Sequence, residues 1–123
     1  MISFHDVKLN TKDPVYLQAA LHVKRQILLR QMVSGDKLPS RREIAAQLGI
    51  NPNTVQKAFK VMEEEGYVRT NSTQGSEVYV DDAILDRIET ELTRDLVQEF
   101  IESAKEIRLP FQKVVHLISE LWE

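Results

Sequence analysis

Asn53, Thr54, Gln56, Lys57 and Lys60 lie within one short stretch and supply two amides, a hydroxyl and two ammonium groups, with no carboxylate among them. Amides and hydroxyls pair with base edges and ammonium groups with phosphates, so this set suits the major groove of duplex DNA. On a helix the five share an outward face, because Val55, Ala58, Phe59 and Met62 recur at three- and four-residue steps and form the inward stripe. Glu63, Glu64 and Glu65 come only at the far end. That distribution keeps negative charge off the helix N-terminus, the part that enters the groove in helix-turn-helix proteins. The pattern predicts groove-edge contacts for Asn53, Thr54 and Gln56, and phosphate contacts for Lys57 and Lys60. The same residues would also serve as the solvated face of any amphipathic helix, so the neighbouring elements must decide.

Those elements carry local start and stop signals. Ser40 followed three residues later by Glu43 is a capping box, which starts a helix at Arg41. Ile44, Ala45 and Leu48 form its apolar face, and Gly49 supplies the left-handed residue that ends it. The chain restarts at once, with Asn51 as N-cap and Pro52 in the first helical position. After Gly66 the period becomes extended: Tyr67–Thr70 and Glu77–Val80 are β-branched and aromatic runs around the turn-forming residues 71–76. The pair reads as a hairpin, the wing of a winged helix. Its tip could reach phosphates or the minor groove, or the hairpin could do no more than close the core with Val68, Val78 and Val80.

Upstream, residues 14–33 read as one long helix with Asp13 as N-cap, Pro14 in the first turn and Gly35 as the stop. Ala19, Ala20, Val23, Ile27 and Leu28 would face the core, leaving His22, Lys24, Arg25 and Arg30 to solvent. Pro39 keeps the turn-rich residues 34–39 from continuing the helix. One short strand is expected near Val7 to Leu9.

Downstream, Ile84, Leu85, Ile88, Leu92, Leu96, Phe100, Ile101 and Ala104 recur at helical steps and predict an amphipathic helix from about Ala83 to Ile107. Leu109-Pro110 breaks it. A second helix from about Pro110 to Leu121 presents Phe111, Val114, Val115, Leu117, Ile118, Leu121 and Trp122. So much apolar surface on two helices calls for burial, either against a second copy or back on the same chain, and the first is favoured. The dimerisation set is Ile84, Ile88, Leu92, Leu96, Phe100, Phe111, Val115, Ile118 and Trp122.

Net charge is −3, which hides a polarity: residues 1–80 carry 11 Lys and Arg against 8 Asp and Glu, residues 81–123 carry 5 against 11. A basic segment would approach phosphate while an acidic one is held away. There is no cysteine, which excludes a disulfide scaffold and thiol chemistry. No apolar run approaches the ~20 residues of a membrane span, and the N-terminus has no signal core, so a cytoplasmic protein without membrane contact is expected. His5, His22 and His116 are far apart and none has a second ligand at a helical step, so no metal is expected. No phosphate loop or nucleophile with a local base is found, so neither an enzyme nor a cofactor is expected. Closure on an amphipathic helix and Trp122, not a linker, favours a complete regulator over a fragment.

The runs from Ser34 to Ser40, Arg42-Glu43-Ile44-Ala45, Leu48 to Phe59 and Glu65-Gly66 closely resemble the GntR family of bacterial transcription regulators. Asn51-Pro52-Asn53-Thr54-Val55 and the short C-terminus look like its YtrA-like subfamily. The resemblance covers roughly residues 10–80. It implies a dimeric winged-helix regulator, usually a repressor, on an operator of two-fold symmetry. It places a DNA contact on Arg42 and further contacts on Asn51, Asn53, Thr54 and Gln56, with Gly75 as the wing-tip glycine. Pro52 stands where many members outside this subfamily have Arg, and the wing lacks one glycine and the tip arginine of the usual pattern. Larger C-terminal domains of the family bind metabolites; the segment from 81 to 123 is too short to enclose such a pocket alone, although a cleft between the helices of a dimer could take a small effector.

The expected architecture is therefore mainly α with a small β-hairpin: a winged helix-turn-helix over residues 1–80 and a two-helix dimerisation segment over 81–123. The expected function is sequence-specific binding of a double-stranded operator by a homodimer, through Arg41, Arg42, Asn51, Asn53, Thr54, Gln56, Lys57, Lys60, Gln74 and Gly75. A winged helix used only for protein contacts is the alternative, and the two differ in how binding responds to salt.

Overall fold

The computed structural model describes residues 1–123 and contains five helices and one hairpin. They are α1 (Val15–Leu28), α2 (Arg41–Leu48), α3 (Pro52–Glu65), β1 (Val68–Asn71), β2 (Gly75–Val78), α4 (Asp82–Glu106) and α5 (Phe111–Leu121). The chain forms two compact units, Met1–Ile88 and Glu89–Glu123.

In the first unit the helix-turn-helix is built by its caps. Ser40 Oγ accepts from the Glu43 amide at 3.1 Å while the Ser40 amide donates to Glu43 Oε1 at 3.0 Å, so two amides without helical partners are satisfied reciprocally. Gly49 closes α2 in the left-handed region at φ 68°. Two residues later Asn51 Oδ1 accepts from the Asn53 amide at 2.8 Å, and α3 begins at Pro52. The inward stripe of α3, Val55, Ala58, Phe59 and Met62, is buried together with Ala19, Ala20, Val23 and Ile27 of α1 and Ile44 and Ala45 of α2.

The hairpin is antiparallel, with Val68 opposite Val78 and Asn71 opposite Gly75. Val68 and Val78 are buried and Val80 is half-buried. The other edge of β2 is not open. Gly35 N–H donates to Val78 O at 2.8 Å, Val78 N–H to Asp36 O at 2.9 Å and Leu38 N–H to Ser76 O at 3.0 Å, so the segment before α2 lies beside the wing.

Four expectations for the first unit fail. Helix α1 ends at Leu28, not near residue 33, because Arg30 adopts φ 62° and the chain turns back to bury Met32. Arg30 N–H then donates to Ile27 O and Gln31 N–H to Gln26 O, the two bonds of a Schellman motif with arginine in the place glycine usually takes. Asp13 does not cap α1: its Oδ2 accepts from the side-chain Nδ2 of Asn10, and no side chain caps this helix. No strand forms near Val7; the N-terminal segment is held through buried Phe4, whose ring meets His22 edge-on at 4.8 Å and whose amide donates to Gln47 Oε1 at 2.7 Å. His22 and Lys24 consequently do not simply face solvent. His22 Nε2 is 2.8 Å from Ser3 O, and buried Lys24 pairs with Glu65.

The first unit also extends past Val80. Asp81 Oδ1 accepts from the Ile84 amide at the start of α4, Arg87 donates to the Glu65 carbonyl at the end of α3, and Ile88 is only 1% exposed. Ile88, expected among the dimerisation residues, is thus a core residue of this unit and offers no free surface.

The second unit comprises the rest of α4 and α5. Helix α4 ends as α1 does, with Arg108 at φ 55°, its amide donating to Lys105 O and that of Leu109 to Ala104 O; Pro110 then bars continuation. No residue of α5 is buried, and Phe111 and Trp122 are 79% and 80% exposed. No helix is long and apolar enough to cross a membrane.

Candidate nucleic-acid interface

The outward face of α3 is as its spacing predicts: Asn53, Gln56, Lys57 and Lys60 are exposed and Thr54 is half-buried. No carboxylate interrupts this run until Glu63. Two of the three acids beyond it face cations of the first unit. Glu63 Oε1 stands 3.9 Å from Arg41 Nη2, and Glu65 Oε1 is 2.9 Å from Lys24 Nζ. The N-terminal half of α3 therefore presents only neutral and cationic groups, while the amides of its first turn add partial positive charge.

Not every candidate residue has its side chain available. Asn51 uses its Oδ1 to cap α3. Arg41 lies over the Phe59 ring, 4.1 Å from its centre, and donates through Nε to Gln56 Oε1, so its guanidinium belongs to the packing of α2 on α3. Arg42, one residue on, is exposed. It lines a cleft of about 470 Å³ with Pro39, Ser40, Gly75 and Ser76, which brings the start of α2 and the wing turn to one concavity.

The wing turn is shaped by its own bonds. Asn71 Oδ1 accepts from both the amide and the hydroxyl of Thr73, and Gly75 takes φ 80°. Gln74 is exposed, and its carbonyl accepts from Lys37 Nζ at 3.4 Å. Lys37 also stands 3.4 Å from Glu77 Oε2. This lysine was not among the sequence candidates, because only the pairing of residues 35–38 with β2 places it beside the tip. Arg69 was missed as well; its guanidinium carbon lies 3.4 Å from the centre of the Tyr79 ring. Its place in β1 directly after buried Val68, on an otherwise exposed strand, was the available signal.

Ser40 tunes one charge at this face. Its amide, and then its hydroxyl, hold the Glu43 carboxyl below its ordinary value by hydrogen bonding to the charged form. Glu43 is thereby fixed at the α2 N-terminus, directed back at its own cap.

Residues 15–78 match the gntR family of bacterial regulatory proteins, slightly more than half of the chain. The uncharacterized HTH-type transcriptional regulator YhcF of Bacillus subtilis (strain 168) is 33% identical over 118 residues, covering 96% of this chain and 98% of that protein. The HTH-type transcriptional repressor YtrA of the same organism is 42% identical over 66 residues, covering 54% of this chain and 51% of its own length. Among solved structures, a GntR family transcriptional regulator from Listeria monocytogenes superposes with a TM-score of 0.79 at 25% identity, over 92% of this chain and 99% of that one. YtrA from Sulfolobus acidocaldarius, a GntR-family transcription factor, gives 0.58 at 30% identity, over 77% and 99%. Winged-helix geometry, the buried and exposed faces of α3 and these similarities agree: the chain belongs to the GntR family, whose members are DNA-binding transcription regulators and not enzymes.

Proposed function

We propose that the chain acts as a homodimeric, sequence-specific repressor whose two α3 helices enter successive major grooves of a pseudo-palindromic operator. The observation that carries this reading is the exposed run from Asn53 to Lys60, free of carboxylates, on a helix whose opposite face is fully buried. Asn53, Thr54 and Gln56 then read base edges, and Lys57, Lys60 and Arg42 position the backbone. Gln74 and Gly75 approach the phosphates beside Arg42. A single helix-turn-helix meets few base pairs, so two half-sites about 34 Å apart are needed for selectivity.

The second copy is recruited through the Glu89–Glu123 unit. Leu96, Phe100, Phe111, Val115, Ile118 and Trp122 are all exposed there, an apolar surface that a lone soluble chain would not leave in water. Leu96, Val97, Phe100, Leu117, Leu121 and Trp122 line a cleft of about 570 Å³ in it. The repressor sign follows YtrA of Bacillus subtilis, which is named a repressor.

The test is a gel shift of the full chain across salt concentrations, with sedimentation to give its mass. Binding that weakens linearly in log salt, by a species of twice 14.2 kDa, supports the reading. A monomer that ignores every duplex at low ionic strength overturns it, and salt-independent capture of a protein would favour the protein-contact alternative.

A further inference from the structure

Arg41 holds the first position of α2 and reaches across to α3. It meets three side chains there: Nε donates to Gln56 Oε1, the guanidinium covers buried Phe59, and Nη2 stands 3.9 Å from Glu63 Oε1. Positions 56, 59 and 63 follow one another at three- and four-residue steps, so the guanidinium runs along one line of the helix. A planar fork stacked on a ring and engaged at two edges has little freedom left.

Arginine carries donors only. The Gln56 atom that faces it is therefore the carbonyl oxygen, which removes the usual ambiguity between the two ends of an amide. Oε1 is turned to Arg41, while Nε2 stays on an exposed residue with no bond to another group of the chain. Resting on the reading of α3 as the groove-entering helix, we propose that Arg41 is a positioning residue that makes Gln56 a donor-only reader, so that the base it meets in each half-site is guanine. An unrestrained glutamine reads adenine with both ends, accepting from N6 and donating to N7. The guanidinium takes one lone pair of the oxygen and its charge repels a second donor such as adenine N6–H2 from that end, so the donor end is the one left for a base, and the charge polarises the amide and strengthens that donor. Guanine is the base whose major-groove edge offers two adjacent acceptors, O6 and N7, and no donor.

The experiment is selection of bound fragments from a random-sequence duplex pool by the full chain, Gln56→Ala and Arg41→Met, with circular dichroism to verify folding. The position that Gln56→Ala relaxes is the one Gln56 reads. It is guanine in the wild type and shifts toward adenine in Arg41→Met, which still covers Phe59 but releases Oε1. In the wild-type protein, 7-deazaguanine at that position weakens binding by about fivefold to tenfold, the loss of one hydrogen bond. Adenine in the wild type, an unchanged preference in Arg41→Met, or unchanged binding to the 7-deazaguanine duplex overturns the proposal and leaves the DNA-reading function standing. Duplex binding in which Gln56→Ala relaxes no position overturns it too. Recovery of no duplex at all is the separate failure of the underlying function.

Discussion

Lys24 Nζ of α1 lies 2.9 Å from Glu65 Oε1 at the end of α3, with the lysine side chain only 8% exposed and the glutamate at the rim. The pair adds a polar tie between α1 and the C-terminal end of α3 to their apolar packing, and the buried cation also lies 5.6 Å from the centre of the Tyr67 ring. Removing the anion takes a partner from a charge that water hardly reaches. Glu65→Ala is expected to destabilise the first unit by about 1–3 kcal/mol, whereas Lys24→Met, which removes the charge but keeps the apolar stem, costs less. Urea unfolding of both variants checks the order, and equal losses would contradict it.

Acid should loosen the capping box. Glu43 is held below its ordinary value of 4.5, so its contribution is present above that value and disappears as pH falls through the lower folded value. Glu43→Ala is therefore less stable than the wild type at neutral pH, and the two converge in acid. Ser40→Ala, which removes the other half of the box, costs ~1 kcal/mol at neutral pH. Urea midpoints at neutral pH and near pH 3 measure both effects.

Two arginines occupy left-handed backbone, Arg30 and Arg108. A residue with a Cβ is strained there by about 1–2 kcal/mol relative to glycine, so Arg30→Gly is expected to raise the thermal midpoint instead of lowering it, less a part lost to the freer unfolded chain. Differential scanning calorimetry decides the sign.

The burial of Ile88 and the exposure of α5 let folding and the proposed dimerisation be tested apart. Ile88→Ala should cost about 2–5 kcal/mol of folding stability, as buried isoleucines do. Ile118→Glu, on exposed α5, should leave unfolding of the first unit unchanged while lowering the sedimenting mass and weakening operator binding. Truncation at Val80 would confuse the two, because it removes Ile88 and Arg87 from the first unit.

Lys57→Ala is expected to weaken all duplexes about equally and to flatten the salt slope by ~1, the signature of one lost phosphate contact. Gel shifts of operator and unrelated duplex at several salt concentrations measure it, and a selective loss on the operator would make Lys57 a base reader instead.

Where sequence signals are local, the fold was legible. Ser40 with Glu43, Gly49, Asn51 with Pro52, and Gly66 act within one turn, and α2 and α3 begin and end where those residues dictate. The burial stripe of α3 followed from spacing alone. What could not be read depends on partners far along the chain. Lys24 looked like a surface cation because Glu65 is distant in sequence, and α1 looked longer because nothing local marks Arg30 as its left-handed stop. On the outward face of α3 the spacing placed Gln56 but not the Arg41 guanidinium bonded to it. The pairing of residues 35–38 with β2, which brings Lys37 to the wing, has no sequence signature of its own.

That pairing has a mechanical side. Since backbone bonds clamp β2 between β1 and the segment leading into α2, with Val80 N–H also donating to Ser34 Oγ at 3.1 Å, the wing cannot swing as a free flap. Amide protons of Leu38 and Val78 should exchange slowly with deuterium while those around Ser72 exchange fast, leaving a stiff paddle with a soft rim. A groove that fits the helices but not this paddle must itself bend to be bound.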